Sequence, residues 1–192
     1  MTMEEWTSVA DAAMSRYARG NDSAFSELYD ALAPRLFTFA LRRLRDDARA
    51  EDLVQQTFLK MHAARRHFIP GAAVMPWSFS IARHLLIDRM RAEQRERMVG
   101  RDDAREAAEL PCMRDLPDHA ANVRGLTRRL EQELAELPEA HRAAFELVQL
   151  DGLSMAEAAE VLGTTALTVK ARAHRAYQAL RKRLGAEVLE AL

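Results

Sequence analysis

The chain of 192 residues carries a formal net charge of −1, which gives no overall reason to expect nucleic acid and confines any basic surface to a local patch. Its single cysteine excludes an internal disulfide, and no stretch approaches the roughly 18 apolar residues of a membrane span. Hydrophobic residues make up 48% of the chain, with 7 Gly, 6 Pro and no strand-like alternation. We therefore expect an all-α, soluble protein without direct membrane insertion.

The N-terminus, MTMEEWTSVADAAM, carries acidic residues where a secretory signal carries basic ones. The lone Cys112 suits a reducing compartment, so the composition predicts a cytoplasmic protein. The length suits one ordinary domain or two small ones.

A helical pattern begins at Asp22, because apolar residues then recur at spacings of three and four. The pattern predicts a helix with one buried face and a bend at Pro34. Its apolar positions are Phe25, Leu28, Tyr29, Leu32, Leu36, Phe39 and Ala40.

Two further helices complete a first domain, which we expect to span residues 8–97. The second helix should begin near Asp46 or Asp47, both good N-cap residues, and end before Ile69. It carries Leu53, Val54, Phe58, Met61 and His62. The third helix takes Pro76 in its first turn and has apolar positions at Trp77, Ile81, Leu85, Ile87 and Met90.

Periodicity fades over residues 98–119, where Pro111, Pro117 and six acidic residues indicate a flexible linker. Helical spacing then resumes, breaks at Pro138 and continues, which predicts a small second domain over residues 120–186. The apolar positions of this domain are Val123, Leu126, Leu130, Leu134, Leu137, Phe145, Val148 and Leu150.

The segment GLSMAEAAEVLGTTALTVKARAHRA has the spacing of a helix-turn-helix motif. Ser154 and Glu157 can form a capping box at the start of a short helix, Met155 to Leu162. Gly163 suits the left-handed position that ends it, and Thr164 or Thr165 can cap a second helix.

The second helix of this motif is basic, whereas the first is acidic. Residues 165–185 contain six Lys or Arg and no acid. One apolar stripe consists of Val169, Ala173, Ala176, Leu180 and Leu184, which leaves Thr168, Lys170, Ala171, Arg172, His174 and Arg175 on the outer surface. A solvated surface is the ordinary meaning of a basic helix, but the cap, glycine and spacing together favour DNA binding by this helix.

Three segments resemble, in order, conserved regions of bacterial RNA polymerase sigma factors. AEDLVQQTFLKMHAARRHF resembles the core-binding helix of region 2, and PWSFSIARHLLIDRMRAEQR resembles the promoter-melting helix of that region. LPEAHRAAFELVQLDGLSMAEAAEVLGTTALTVKARAHRAYQALRKRL resembles region 4. With its short linker, the chain resembles the extracytoplasmic-function (ECF) type, which implies a region 2-like helical bundle and a region 4-like helix-turn-helix domain.

The resemblance implies three sets of site residues. Asp52, Gln55, Gln56 and Leu59 would bind core polymerase, at the clamp helices of its largest subunit. The minus-ten element would be recognised and melted by Trp77, Arg83, His84, Asp88 and Arg91, beside a loop over residues 67–75 that holds a flipped base in such proteins. The minus-thirty-five element would be read by Thr165, Thr168, Lys170, Ala171, Arg172, His174 and Arg175.

The same resemblance implies an alternative sigma factor that answers a stress or envelope signal. Its expected partners are core RNA polymerase, including the flap of the second-largest subunit, promoter DNA and an anti-sigma factor, which is often membrane-bound. No cofactor or metal is expected.

Other classes of protein fit the residues less well. An enzyme is disfavoured, because no two of the six histidines stand at i,i+4 spacing beside a carboxylate, no Gly-rich phosphate loop is present, and Cys112 has no base near it in sequence. A conventional helix-turn-helix regulator that acts without core polymerase remains the main alternative. A helical adaptor that binds only protein would not explain why the second helix of the motif is basic.

Overall fold

The computed structural model describes residues 3–99 and 129–185, and all regular structure within these ranges is helical. The chain divides into two compact units, Met1–Pro111 and Cys112–Leu192. The all-α prediction is therefore confirmed. Across the described ranges, no helix has the length and apolar character needed to cross a bilayer.

The described part of the first unit contains four helices, of which α2, α3 and α4 correspond to the predicted ones. They are α1 (Met3–Ala18), α2 (Ala24–Leu44), α3 (Asp47–Ala64) and α4 (Val74–Val99), and a 3-10 turn, Arg65–His67, follows α3. Helix α2 packs against α1 and α3, and α4 packs against the other three helices. Helix α4 continues through the first two residues of the expected linker, and the rest of that linker lies outside the described residues.

Helix α1 lies ahead of the first predicted helix and was missed by the apolar pattern that starts at Asp22. Its buried residues nevertheless follow helical spacing: Trp6, Ala10, Ala13, Met14 and Tyr17. The first unit is thus closed by an amphipathic N-terminal helix, and Arg35 of α2 lies over the ring of Trp6 with its Cζ 4.1 Å from the ring centroid.

Tyr17 joins α1 to the end of α3. Its hydroxyl is hydrogen-bonded to Nδ1 of His62, and the guanidinium of Arg65 lies 5.4 Å from its ring centroid. Burial raises the pKa of the Tyr17 phenol, while the charge of Arg65 lowers it and that of Asp22 raises it. His62 is exposed, so it lies at the edge of the helix packing and not on the buried face of α3.

The buried faces of α2 and α3 lie largely where the sequence predicts them. Leu28, Leu32, Leu36, Phe39 and Ala40 are buried in α2, whereas Tyr29 is 40% exposed. Pro34 lies inside the continuous helix, and its carbonyl accepts a hydrogen bond from the Thr38 hydroxyl at 2.8 Å. Asp46 caps α3 by accepting from the amide of Arg49 at 2.9 Å, as expected for this N-cap.

Helix α4 buries a different set of residues from the apolar positions expected of it. The helix buries Val74, Met75, Phe79, Ala82 and Leu86, whereas the expected apolar positions Trp77, Ile81, Leu85 and Ile87 are only partly buried and Met90 is 51% exposed. Both sets have helical spacing, so the sequence carries two apolar stripes. Packing decides between them, because the ring of Phe79 meets that of Phe39 in α2 at 5.3 Å.

The described part of the second unit contains helical residues 129–135 (α5), α6 (Glu139–Phe145), α7 (Met155–Leu162) and α8 (Ala166–Leu184), in that order. A π-helical turn, Glu146–Leu150, extends α6 and is an element that the sequence pattern does not predict. The core residues are Leu130, Leu134, Leu137, Phe145, Ala176, Leu180 and Leu184. Of the predicted positions, Val148 and Leu150 are only partly buried, and Val123 and Leu126 lie outside the described residues.

The turn between α7 and α8 has the predicted geometry. Ser154 accepts from the amide of Glu157 at 3.2 Å, and the Glu157 carboxylate accepts from the amide of Ser154 at 2.8 Å, which completes the capping box. Gly163 has φ 61° and ψ 43°, and Thr165 caps α8 by accepting from the amide of Thr168 at 3.2 Å. The two helices are therefore each fixed at the end that faces the turn.

We predict that Ser154→Ala destabilises α7, because it leaves the amide of Glu157 without its capping acceptor. The loss should be about 1 kcal/mol. Native-state hydrogen exchange of the α7 amides measures it, with Thr164→Ala, in the turn after α7, as the control. Unchanged protection in Ser154→Ala would contradict a stabilising cap.

Candidate nucleic-acid and polymerase-binding surfaces

Helix α8 presents a basic face opposite its buried stripe. The five predicted stripe residues, Val169, Ala173, Ala176, Leu180 and Leu184, are all buried. Lys170, Ala171, His174 and Arg175 are exposed, and Thr168 and Arg172 are half-buried beside them. The predicted minus-thirty-five residues therefore share one outward surface of a helix that carries no acid.

The cations of α8 divide into two groups by their surroundings. Arg183, in the last turn, donates from Nη1 to Oε2 of Glu133 in α5 at 3.0 Å and so binds within its own unit. Lys170 and Arg175, in the first half, form no ion pair with any described residue. The first half of α8 thus holds positive charge that an external anion can neutralise.

A second surface lies on α3. Gln55 and Gln56 are exposed, Leu59 is 68% exposed, and Asp52 is half-buried at the edge. Because a helix turns by about 100° per residue, these four side chains lie within about 100° of one another, opposite Val54, Phe58 and Met61. Nε2 of Gln56 donates to Oδ2 of Asp52 at 3.0 Å, so the polar part of this surface is partly ordered.

A third surface runs along α4. His84, Asp88 and Arg91 are exposed at spacings of four and three, and an open groove is lined by Asp88, Arg91, Gln94 and Arg95. Trp77 begins the same stripe and is half-buried, with its ring 5.1 Å from that of Phe68. Arg83 points about 120° away from this stripe by helical geometry. The structure therefore brings four of the five predicted minus-ten residues onto one stripe and leaves out Arg83.

Ion pairs brace α4 against α3. The Nη2 of Arg89 donates to Oδ2 of Asp52, and its Nη1 donates to the carbonyl oxygen of Arg49 at 3.2 Å. The side chain of Arg49 pairs in turn with Glu93. Arg89 is therefore held inside the first unit and adds less to an outward basic face than the sequence suggests.

Helix α1 anchors the loop that precedes α4. The amide of Val74 donates to Oδ1 of Asp11 at 2.7 Å, and the amide of Gly71 donates to Oγ of Ser15 at 3.1 Å. Ile69 in this loop is 74% exposed. The N-terminus of α4 is thus capped from a different helix, and the loop stands at a fixed place beside Trp77 and Phe68.

Each of the two units matches a known protein family. The family Sigma-70 region 2 matches residues 28–96, and the family Sigma-70, region 4 matches residues 127–180. RNA polymerase sigma factor CarQ of Myxococcus xanthus is 34% identical over 177 residues, which cover 92% of this chain and 98% of CarQ. ECF RNA polymerase sigma factor SigL of Mycobacterium tuberculosis is 35% identical over 175 residues, which cover 88% of this chain and 94% of SigL. The chain belongs to the ECF sigma factors.

Solved structures agree with this membership. The sigma factor RpoE of Bartonella quintana, in complex with the anti-sigma factor NepR, matches with a TM-score of 0.68 and 28% identity, over 84% of this chain and 97% of that one. CnrH, in complex with the cytosolic domain of CnrY, matches with a TM-score of 0.67 and 26% identity, over 92% and 98%. The protein is therefore an alternative sigma factor, a transcription initiation factor that gives RNA polymerase its promoter specificity.

Several residues that shape the surfaces of this sigma factor have roles that the sequence does not predict. Asp11 and Ser15 act across a gap of about 60 residues, and Arg89 reads as one more surface cation. A signal for Asp11 does exist, because the N-terminus of α4 has no Ser, Thr, Asp or Asn before Val74 to cap it. The cap therefore has to come from elsewhere in the fold.

We predict that Asp11→Ala lowers the free energy of unfolding of the first unit by about 0.5–2 kcal/mol, because the amide of Val74 loses its capping oxygen. Asp11→Asn keeps an acceptor and should lose less. Urea unfolding followed by tryptophan fluorescence measures both variants, since Trp6 and Trp77, the two tryptophans of the chain, lie in the first unit. An Asp11→Ala variant as stable as the wild type would show that the cap contributes nothing.

Proposed function

We propose that this sigma factor binds core RNA polymerase through its first unit and contacts promoter DNA with both units. The observation that carries the proposal is the outer face of α8. Its first half exposes Lys170 and Arg175 opposite an entirely buried apolar stripe, and no acid lies between residues 165 and 185. Such a face suits the major groove, where cations bind phosphates and arginine reads guanine.

The surface of α3 is the proposed site for core polymerase. A leucine that is 68% exposed, surrounded by amide side chains, is more apolar than an ordinary solvated helix face. We assign Asp52, Gln55, Gln56 and Leu59 to the clamp helices of the largest subunit. The second unit is assigned to the flap of the second-largest subunit by family resemblance alone.

The surface of α4 is the proposed site for the minus-ten element. Trp77 offers a half-buried ring on which an unpaired base can stack, and Arg91 and Arg95 offer charge to the backbone. Asp88 and His84 lie between them and can hydrogen-bond to base edges. Arg83 is kept as a minus-ten residue only in a supporting role, since it lies off the stripe. In this assignment residues 8–97 recognise and melt the minus-ten element, residues 98–119 link the domains, and residues 120–186 bind the minus-thirty-five element.

An anti-sigma factor is the proposed regulator. The similar sigma factor RpoE has been solved in complex with the anti-sigma factor NepR, and the similar CnrH in complex with the cytosolic domain of CnrY. We extend this mode of control to the present chain, with release by a stress or envelope signal. The protein would act in the cytoplasm, where bacterial transcription takes place, and would itself catalyse no reaction.

The decisive experiment is transcription in vitro with purified core polymerase, with and without this protein, on a library of genomic promoter fragments. A sigma factor produces new transcripts only when both proteins are present. A conventional helix-turn-helix regulator, the alternative function, would instead bind DNA without core polymerase and start no transcript with it.

We predict that replacing Gln55 and Leu59 together by alanine weakens core binding about tenfold, which corresponds to about 1.4 kcal/mol. Asp52 is left in place, because it also accepts a hydrogen bond from Arg89 and its loss would disturb α4. Glu51→Ala, an exposed change on the same helix but off this face, is the control. Equilibrium titration of fluorescent core polymerase measures the affinities, and equal affinities for the double variant and the control would refute the assignment.

We predict different effects for two cations of α8. Arg175→Ala should cost about 1–3 kcal/mol at one base pair of the minus-thirty-five element, because a bidentate contact to guanine is lost. Lys170→Ala should weaken binding to all sequences equally and lower the salt slope by about one, because a phosphate contact is lost. Holoenzyme binding to a panel of promoter variants at several salt concentrations separates the two. A uniform loss in Arg175→Ala with altered base preference in Lys170→Ala would reverse the roles.

A further inference from the structure

Leu167 is the most exposed large apolar side chain among the described residues, at 77%. It is the second residue of α8 and follows the Thr165 cap closely. The helix gains no packing from it, since α8 already buries a complete stripe from Val169 to Leu184. A leucine in this position is therefore open to contact by an external partner, which would remove it from water.

The position of Leu167 on the helix is close to the centre of the outward face. Taking about 100° per residue, the buried stripe is centred about 180° from Ala171, and Leu167 and Arg175 lie about 40° to either side of Ala171. Lys170 and Arg172 lie farther out, about 100° from Ala171 on opposite sides. An apolar strip, Leu167 and Ala171, is thus flanked by cations at both edges.

An apolar strip flanked by cations indicates the chemical class of the partner. The flanking cations and the absence of acid on α8 suit a polyanion, and the residues at the start of a recognition helix are the ones that approach base edges. In the major groove, the apolar group that a base pair presents is the 5-methyl group of thymine. Leu167 is long enough to reach forward from the helix, and the adjacent methyl of Ala171 widens the contact.

We propose that Leu167, with Ala171 beside it, contacts the methyl group of one thymine in the minus-thirty-five element and thereby selects thymine at that position. This inference rests on the proposed function, in which α8 reads that element. It adds Leu167, which is not among the minus-thirty-five residues assigned above, as a determinant of specificity that makes no hydrogen bond to DNA.

Deoxyuridine tests the proposal, because it lacks only the methyl group and keeps the hydrogen-bonding pattern of thymine. The wild-type holoenzyme first selects its preferred sequence from a library randomised over the minus-thirty-five element. Each thymine of that element, on either strand, is then replaced singly by deoxyuridine. For wild type, one replacement should lower promoter affinity about fourfold, the value of one buried methyl or methylene group.

The variant Leu167→Ala should bind the thymine promoter about fourfold less well and show no further loss with deoxyuridine at that position. Lys170→Ala is the matched control on the same helix, since it should weaken all templates equally and keep the deoxyuridine effect. Because Leu167 is exposed and alanine favours helix, the variant should fold normally, which circular dichroism checks.

Several results would overturn the inference while leaving the proposed function intact. These are a selected element without thymine, a wild-type protein insensitive to every deoxyuridine, and a Leu167→Ala variant that keeps the full deoxyuridine effect. If instead the holoenzyme started no transcript from any promoter, the proposed function would fail and the inference with it.

Discussion

The turn at Gly163 fixes the surface that the second unit offers to its surroundings. Its left-handed conformation lets the amide of Thr164 bond back to the carbonyl of Ala159 at 3.0 Å, and α8 begins two residues later at the Thr165 cap. So short a connection leaves α8 little freedom to rotate about its own axis. Ala176, Leu180 and Leu184 of the buried stripe then pack in one core with Phe145 and Leu134, and the cationic residues on the other side face outward.

In the first unit, polar contacts between helices fix the orientation of α4. Its loop before α4 is held by Asp11 and Ser15, and α4 is held to α3 by Arg89. These contacts are partly exposed, so each contributes modestly to stability. Their larger effect is on geometry, because they determine which residues of α4 can face a partner.

The parts of this fold that follow from local chemistry could be predicted from sequence, as the second unit shows. The capping box at Ser154, the glycine turn and the buried stripe of α8 each depend on residues close together in the chain. The buried face of α4 could not, because two apolar stripes compete and only contact with Phe39 selects Phe79. The roles of Asp11 and Arg89 likewise depend on distant partners, and the π-helical turn after α6 has no local signal at all.

Asp52 belongs both to the outward surface of α3 and to the ion pair that joins α3 to α4, unlike its neighbours on that surface. Gln55 and Leu59 face outward only, whereas the carboxylate of Asp52 also receives a guanidinium that simultaneously bonds to the backbone of Arg49. A lysine in place of Arg89 would offer one nitrogen to the two acceptors, whereas the guanidinium places a separate nitrogen against each. If this surface binds core polymerase as proposed, it can adapt to a changed partner at Gln55 or Leu59 alone, whereas a change at Asp52 would need an answering change on α4.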